Sequence, residues 1–281
     1  MKYFSLFLIF ALFTQTVWAQ DGITICGLAD AENTELFASL ADDPVFRAKH
    51  DLVSYTHENA KGEEITFDTS DGQQGSAYYL AAKGNSNQYL LVIHEWWGLN
   101  DHIKREAERL HKDLDNVHVM ALDIYDGKVA TSRELAQQYM QSVTTDRAKA
   151  IIDGAIQHAG DNAEIATIGW CFGGGWSLRA TILADEQAIG CVMYYGMPVQ
   201  NMEEIKEVET DVLGIFAEYD GYITPKVVEE FEQQMKEADK DIEVHMYEAD
   251  HGFANPSGAR YDEDAARDAY DKTLAFLKER L

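Results

Sequence analysis

From Tyr89 to the end of the chain, short apolar runs alternate with longer stretches in which apolar residues recur every three or four positions. The short runs are typical of buried strands, and the longer stretches have the periodicity of amphipathic helices. Repeated strand–helix units joined by short links form a mostly parallel sheet with helices on both faces. The alternation therefore predicts an α/β fold, preceded by a strand hairpin that turns at Asp71-Gly72. The expected parallel strands are Tyr89–Ile93, Val117–Leu122, Ile165–Ile168, Cys191–Tyr195, Val212–Phe216 and Val244–Tyr247.

One of these strands leads directly into a glycine-rich turn. Ile165–Ile168 is followed by Gly169-Trp170-Cys171-Phe172-Gly173 and then by a helical stretch. A turn of this kind lifts its central side chain above the sheet edge, and its glycines let strand and helix pack closely. Cys171 stands at that central position, which predicts a hydrolytic enzyme with a thiolate nucleophile. Taken alone, the pattern also fits a buried structural cysteine beside glycines.

Two further polar side chains, Asp220 and His251, follow later strands. Because the carboxyl ends of parallel strands share one edge of the sheet, both are expected to meet Cys171 there. The chain order nucleophile, acid, histidine is that of the α/β-hydrolase fold. In that arrangement the histidine deprotonates the thiol and the carboxylate orients the histidine. Each residue taken singly also fits an ordinary turn position, and Asp123, at the end of an earlier strand, is the alternative for the acid.

The stretches around these residues resemble the dienelactone hydrolase family of α/β-hydrolases, from about Glu64 to Leu281. The resemblance implies an α/β-hydrolase fold, hydrolysis of esters or lactones, and a catalytic triad of Cys171, Asp220 and His251. The matching stretches are Ile168–Gly174, Tyr194–Gly196, Tyr219–Pro225 and Asp250–Ala254.

A fifth match, Ile93–Gly98, implies the role of Glu95. The family has a glutamate at this place that contacts the resting cysteine, and a carboxylate there holds the thiol proton until substrate displaces the side chain. The backbone amides of Trp96 and Phe172 are the expected oxyanion donors. His94-Glu95 could begin the zinc motif His-Glu-x-x-His, but Gly98 stands where the second histidine must be, so we predict no metal and no cofactor.

Aromatic residues near the predicted site suggest an apolar lining, for which ordinary core positions are the alternative. Family members that bind a carboxylate use one arginine just after a strand-end tyrosine and another four residues beyond the catalytic histidine. Lys128 lies near the first place and Asn255 occupies the second. The resemblance therefore predicts neutral esters or lactones as substrates, with Lys128 as a side chain that could partly compensate for the missing arginines. The expected substrate-binding residues are Trp97, Tyr125, Tyr195 and Phe253.

The chain carries a large excess of negative charge. It has 23 basic and 49 acidic residues among 281, a formal net charge of -26. Such a balance argues against nucleic acids and anionic membranes as partners. The acidic residues are scattered rather than placed at ligand spacing, which is typical of a solvated surface. The expected partner is a small ester or lactone, and the sequence leaves the oligomeric state open.

The N-terminus has the pattern of a secretory signal peptide, residues 1–19, with Lys2, an uncharged apolar stretch and Val17-Trp18-Ala19. Residues 20–62 are predicted to be an N-terminal extension packed on a hydrolase domain of residues 63–281. The apolar stretch is too short for a membrane span, so the mature protein is expected to be secreted or periplasmic. A lipid anchor on Cys26 is the alternative, although the residues before it do not suit one.

Three cysteines cannot all pair within one chain, so at least one lacks a partner in it. Cys191 lies in an apolar run and is expected in the core, and whether Cys26 forms a disulfide stays open. These features together predict an exported cysteine hydrolase that works through an acyl-cysteine intermediate. The alternative is a secreted binding protein that keeps the hydrolase fold with little turnover.

Overall fold

The structure is a computed structural model that describes residues 40, 42–48, 50 and 55–281. The predicted signal peptide and Cys26 lie outside these residues. In chain order the strands are β1 Glu63–Asp68, β2 Gln74–Leu80, β3 Gln88–Ile93, β4 His118–Leu122, β5 Glu164–Trp170, β6 Ala188–Tyr194, β7 Val212–Ala217 and β8 Ile242–Tyr247.

All eight strands form one sheet in the order β1-β2-β4-β3-β5-β6-β7-β8. The β1–β2 hairpin and the β2–β4 pair are antiparallel, and every other pair is parallel. The interior strand β7 is buried along its whole length, as expected where helices cover both faces of a parallel sheet. The predicted α/β-hydrolase fold, with a mostly parallel sheet between layers of helices, is confirmed.

The helices connect the strands and cover the sheet. The helix α2, Asp101–Leu114, shows why the sequence folds this way: its buried residues recur at helical spacing, and the Asn100 side chain accepts hydrogen bonds from the first free backbone amides. No helix in the described part of the chain combines the length and the apolar character needed to cross a membrane. The helices are α1 Pro44–Ala48, α2 Asp101–Leu114, α3 Arg133–Ser142, α4 Thr145–Ala159, α5 Phe172–Ala184, α6 Met202–Lys206, α7 Pro225–Glu237 and α8 Glu263–Lys278.

The described part of the N-terminal extension lies over the carboxyl end of the sheet. The Phe46 side chain on α1 is only 1% exposed and packs edge-on against Trp96 and Tyr222, at ring-centroid distances of 5.9 and 5.1 Å. The Arg133 guanidinium donates a hydrogen bond to the backbone oxygen of His50 at 2.6 Å. These contacts hold the extension above the edge of the sheet where β3, β5, β7 and β8 end.

Candidate active site

Cys171 sits at a sharp turn between β5 and α5. Its backbone has φ 55° and ψ -117°, a region that residues with a side chain rarely adopt. The turn is held from both sides, because the Cys171 amide donates to the Tyr194 oxygen at 3.0 Å and the Cys171 oxygen accepts from the Gly174 amide at 3.0 Å. The strained backbone places the thiol at the carboxyl edge of the sheet.

Two glycines make this turn possible by close approach. A Cβ atom on Gly169 would lie 2.0 Å from the backbone oxygen of Gly173. A Cβ atom on Gly173 would lie 2.3 Å from the backbone oxygen of Ile93 at the end of β3. Since neither neighbour is a flexible side chain, only glycine fits at these positions, which explains the Gly-x-Cys-x-Gly pattern.

Beside this turn, His251 and Asp220 form a buried pair. Nδ1 of His251 donates to a carboxylate oxygen of Asp220 at 2.5 Å, and each residue is 3% exposed. The other Asp220 oxygen accepts from the backbone amides of Tyr222 and Ile223, at 2.9 and 3.1 Å. The carboxylate is therefore fixed on both sides and orients the imidazole ring.

Asp123, the alternative acid, lies at another place. Its carboxylate accepts from the backbone amides of Tyr125 at 3.0 Å and Gly127 at 2.5 Å, which closes the turn after β4. The structure thus brings Asp220, and not Asp123, to the histidine.

Electrostatics favour a charged pair at this site. Burial alone would lower the pKa of His251, but the negative charges of Asp220 and Cys171 outweigh it and raise the pKa to about 10. Burial raises the pKa of Asp220, but the charge and hydrogen bond of His251 outweigh it, so the net pKa is lowered. The ring that carries this positive charge lies beside the Cys171 sulfur.

The thiol opens on a small cavity of about 20 Å³. Cys171 is 2% exposed, so the cavity is a narrow opening above the sulfur. Nε2 of His251 is buried and has no hydrogen-bond partner among the described residues. The lining residues are His50, Glu95, Trp97, Cys171, His251, Gly252, Asn255, Gly258 and Arg260.

His50, from the N-terminal extension, is a site residue that the sequence analysis missed. Its Nε2 lies 3.8 Å from the Cys171 sulfur. Its Nδ1 donates to the backbone oxygen of Phe46 at 2.8 Å, because a carbonyl only accepts. Burial, assisted by the nearby charge of His251, lowers the pKa of His50 to about 3, so the ring is neutral. No local motif marks His50, and no signal in the sequence joins it to Cys171.

Glu95 and Asn255 form a contact inside the cavity. The Asn255 amide donates to Glu95 at 2.5 Å, and its oxygen accepts from the amide and hydroxyl of Ser257, at 2.8 and 2.6 Å. Burial raises the pKa of Glu95 to about 7, although the charge of His251 and the Asn255 hydrogen bond favour the ionised form. The residue at the expected arginine position therefore orients Glu95 on the cavity wall.

The remaining predicted residues lie close around the site. Trp97 lines the cavity, whereas Tyr125, Tyr195 and Phe253 are buried beneath it, at 2%, 0% and 0% exposure, and form no part of its wall. Their substrate-binding role stays a prediction. Trp96 and Phe172, the proposed oxyanion donors, are fully buried at the ends of β3 and β5, and that role also stays a prediction.

A cation other than Lys128 reaches the cavity. The Lys128 ammonium lies over the Tyr139 ring, 5.8 Å from its centroid, and Lys128 is not among the lining residues. Arg260 lines the wall instead. The prediction of neutral substrates assumed a site without a strong cation, and Arg260 removes that premise. The sequence could have indicated this cation, because Arg260 is the one basic residue between His251 and α8.

A larger cavity of about 240 Å³ adjoins the first and shares Glu95 and Asn255 with it. It lies between α2 and α8 and is walled by charged and aromatic side chains. The Arg109 guanidinium stacks on the Tyr270 ring, 3.4 Å from its centroid, on this wall. The Glu95–Asn255 contact is thus the partition between a narrow catalytic cavity and a wider one.

The second described cysteine, Cys191, is buried within the sheet and 0% exposed. Its sulfur lies 3.6 Å from the Ser177 hydroxyl, and neither Cys171 nor Cys191 forms a disulfide. Cys191 is therefore a core residue, and Cys171 is the thiol that opens on the cavity.

Comparisons with known proteins identify the family of the chain. The model of the dienelactone hydrolase family matches residues 76–281. A protein of Saccharolobus solfataricus, provisionally named a carboxymethylenebutenolidase, is 27% identical over 77% of this chain and 98% of its own length. A carboxymethylenebutenolidase of a Pseudomonas species is 31% identical over 41% of this chain and 47% of its own length.

Solved structures show the same architecture. A crystal structure from Klebsiella pneumoniae, provisionally named a dienelactone hydrolase, superposes with a TM-score of 0.66. The match covers 76% of this chain and 98% of that one. At 22% identity it supports the fold alone. Residues 76–281 contain the sharp turn at Cys171 (the elbow), the Asp220–His251 pair and the strands that position them, and the chain belongs to the dienelactone hydrolase family.

Proposed function

We propose that this hydrolase of ester or lactone bonds is an exported enzyme that uses Cys171 as its nucleophile and passes through an acyl-cysteine intermediate. One observation carries the proposal. The strained elbow places the Cys171 thiol on the same cavity as His251, whose ring is bound to the buried Asp220. A nucleophile, a base and a residue that orients the base are the parts that acyl transfer requires.

In the first half of the reaction, the Cys171 thiolate attacks the carbonyl carbon of the substrate and a sulfur–carbon bond forms. The negative charge on the carbonyl oxygen is stabilised by the backbone amides of Trp96 and Phe172. The carbon–oxygen bond to the alcohol then breaks, and His251 protonates the leaving oxygen. In the second half, His251 takes a proton from water, and the resulting hydroxide attacks the thioester and releases the carboxylic acid and Cys171.

The cavity favours a small substrate. The space above the sulfur is only about 20 Å³ and His50 lies close to the sulfur, which together restrict the acyl group to a compact one. Arg260 on the wall offers a charge-assisted contact to a carboxylate or another polar substituent. We therefore propose small esters or lactones, including those that carry a negative group directed toward Arg260.

The proposal of export rests on the sequence of residues 1–19, which has the order of segments that signal peptidase recognises. Expression of the full chain in a bacterial host, followed by mass spectrometry of the periplasmic and secreted fractions, tests it. A mature N-terminus at Gln20 supports export, and an uncleaved chain confined to the cytoplasm contradicts it.

A panel of p-nitrophenyl esters and lactones tests the chemistry. The Cys171→Ala variant is expected to lose turnover, and the Cys191→Ala variant serves as the matched thiol control that keeps it. Mass spectrometry of the quenched reaction should show an acyl group on Cys171. Full activity in Cys171→Ala would overturn the nucleophile assignment, and absence of turnover across the panel would favour a binding protein with the hydrolase fold.

A further inference from the structure

Three metal-ligating side chains converge at the carboxyl edge of the sheet. A ring nitrogen of His50, the sulfur of Cys171 and a ring nitrogen of His251 all lie within 4.8 Å of one another. The three residues come from the N-terminal extension, the elbow after β5 and the loop after β8, so no motif in the sequence predicts that they meet. Two imidazoles and a thiolate are ligands that Zn²⁺ prefers.

Hydrogen bonds orient both rings so that their Nε2 atoms face one point, where a metal ion would displace the proton on Nε2 of His251. Nδ1 of His50 donates to the Phe46 backbone oxygen at 2.8 Å, which leaves Nε2 facing the sulfur. Nδ1 of His251 donates to Asp220 at 2.5 Å, and its buried Nε2 has no partner within the described part of the chain. A carbonyl or carboxylate behind each imidazole is the arrangement that orients histidine ligands in metal sites.

The separations suit a tetrahedral ion. Bond lengths of about 2.3 Å to sulfur and about 2.0 to 2.1 Å to nitrogen place the two ligand atoms about 3.6 Å apart. The observed distance between Nε2 of His50 and the Cys171 sulfur is 3.8 Å. Glu95 on the same wall and Asp220 behind His251 supply negative charge, and Arg260 is the positive charge that faces the cluster from the cavity wall.

We propose that His50, Cys171 and His251 bind one Zn²⁺ ion, with a fourth position open to water. Binding releases to solvent the proton that the thiol and imidazole share, forms one sulfur–zinc bond and two nitrogen–zinc bonds, and involves no oxidation. The ion engages both the nucleophile and the base, so it blocks hydrolysis reversibly and shields the thiol from alkylation and oxidation. The block on hydrolysis rests on the proposed function, whereas the binding of the ion does not.

Cobalt substitution tests the site without reference to activity. Co²⁺ is added to the purified full-length mature protein, and near-ultraviolet absorption is recorded for the charge-transfer band of a thiolate–cobalt bond. The band is expected in the wild type and absent in Cys171→Ala. Zn²⁺ affinity is then measured by competition with a chromophoric chelator, and His50→Ala is expected to weaken it by at least about a hundred-fold.

His57→Ala is the matched control, since His57 lies in the same extension but is bound to Glu108 at 2.8 Å. It should keep the wild-type zinc affinity. His50→Gln, whose amide can still donate to the Phe46 oxygen, covers the case in which His50→Ala misfolds, and it too should lose zinc affinity. Equal zinc affinity in wild type and His50→Gln, or a wild type without the cobalt band, overturns the proposal. Ester turnover measured separately with a chelator present reports on the proposed function alone.

Discussion

At the scale of single residues, three carboxyl groups of the same chemical kind have different roles because their surroundings differ. Asp220 and Asp123 both follow strands of the same sheet, yet one is bound to His251 and the other closes a turn through backbone amides. Glu95 is a carboxyl group of the same kind, but burial raises its pKa to about 7. Position after folding therefore decides which carboxyl group orients a base, which holds a turn and which titrates near neutral pH.

Exchange of Asp220 for asparagine is expected to lower kcat by about a thousand-fold or more, because His251 loses the charge that fixes its tautomer. Steady-state kinetics on a p-nitrophenyl ester measure the change. The matched Asp123→Asn variant should keep kcat within a few-fold once its stability has been checked. A larger loss in Asp123→Asn than in Asp220→Asn would reverse the assignment of the acid.

Glu95→Gln is expected to remove a pH-dependent penalty on folding. The pKa of Glu95 is about 7 in the folded protein against an ordinary value of 4.5, so between these pH values the folded chain keeps a proton that the unfolded chain has released. Stability from this group is present below pH 4.5 and is lost as the pH rises through 7. Relative to wild type, Glu95→Gln should gain about 3 kcal/mol on going from pH 4 to pH 8.

Urea unfolding of wild type and Glu95→Gln at these two pH values measures that gain. The exposed Glu229 on α7 provides the control, because Glu229→Gln removes the same charge without a change in burial. A difference between Glu95→Gln and wild type that is the same at both pH values would show that Glu95 titrates normally.

Arg260→Gln is expected to lower kcat/KM for a carboxylate-bearing ester by about ten-fold to a hundred-fold, since a lost ionic hydrogen bond is worth about 1.5 to 3 kcal/mol. A neutral ester of the same size should lose no more than a few-fold. Lys128→Gln, which removes a cation outside the cavity wall, is the matched control. An equal loss of kcat/KM for both substrates would argue against an ionic contact between Arg260 and the substrate carboxylate.

At the scale of elements, the short helix α1 and the residues after it close one side of the site. The Phe46 ring lies 4.4 Å from the His50 ring and 6.1 Å from the His251 ring, centroid to centroid. This buried aromatic residue helps to hold His50 above the thiol, together with the Trp96 ring and the Arg133 hydrogen bond to the His50 oxygen. The elbow below is held by backbone contacts among β3, β5 and α5. The side of the cavity formed by the extension depends instead on side-chain packing, and we expect it to open more readily than the elbow.

Phe46→Ala is expected to expose Cys171 without unfolding the sheet. Loss of a buried phenylalanine weakens the docking of the extension by about 1.5 to 3 kcal/mol, which corresponds to about a ten-fold to hundred-fold larger open population. The rate of Cys171 alkylation by iodoacetamide should rise by that factor. Phe276→Ala on α8 is the control for loss of a buried ring outside the extension, and an equal rise in that variant would exclude local opening.

At the scale of the whole molecule, the formal charge of -26 surrounds a cavity that contains an arginine. An anionic substrate is repelled at long range and attracted at the wall, whereas a neutral substrate experiences neither effect. The two ranges respond differently to salt, because the Debye length falls to about 8 Å at physiological ionic strength.

Raising sodium chloride from low concentration to physiological concentration is therefore expected to increase kcat/KM for a carboxylate-bearing ester by a few-fold, through relief of the long-range repulsion. The value for a neutral ester of matched size should stay constant. Initial rates at low substrate concentration measure both. A fall in kcat/KM for the anionic ester would mean that the contact with Arg260 dominates association.

Much of the fold and the central site could be predicted from the sequence, because both depend on local patterns. Helical spacing of Ile103, Ala107, Leu110 and Leu114 and the apolar run of β7 predict elements that the structure contains. The Gly-x-Cys-x-Gly turn reflects backbone contacts between neighbouring segments. The placement of Cys171, Asp220 and His251 after three parallel strands, β5, β7 and β8, brings them to one edge by topology alone.

Only the tertiary structure decided what surrounds that centre. His50 reaches the thiol across 121 positions of chain, and Asn255 reaches Glu95 across 160, so no periodicity or motif could encode either contact. Tyr195 and Phe253 are aromatic residues of the kind that line substrate sites, but they lie beneath the cavity. Their burial depends on the residues that pack above them. Local chain geometry determined the strands, the elbow and the order of the triad, whereas packing between distant segments determined the cavity, its charge and the histidine that covers it.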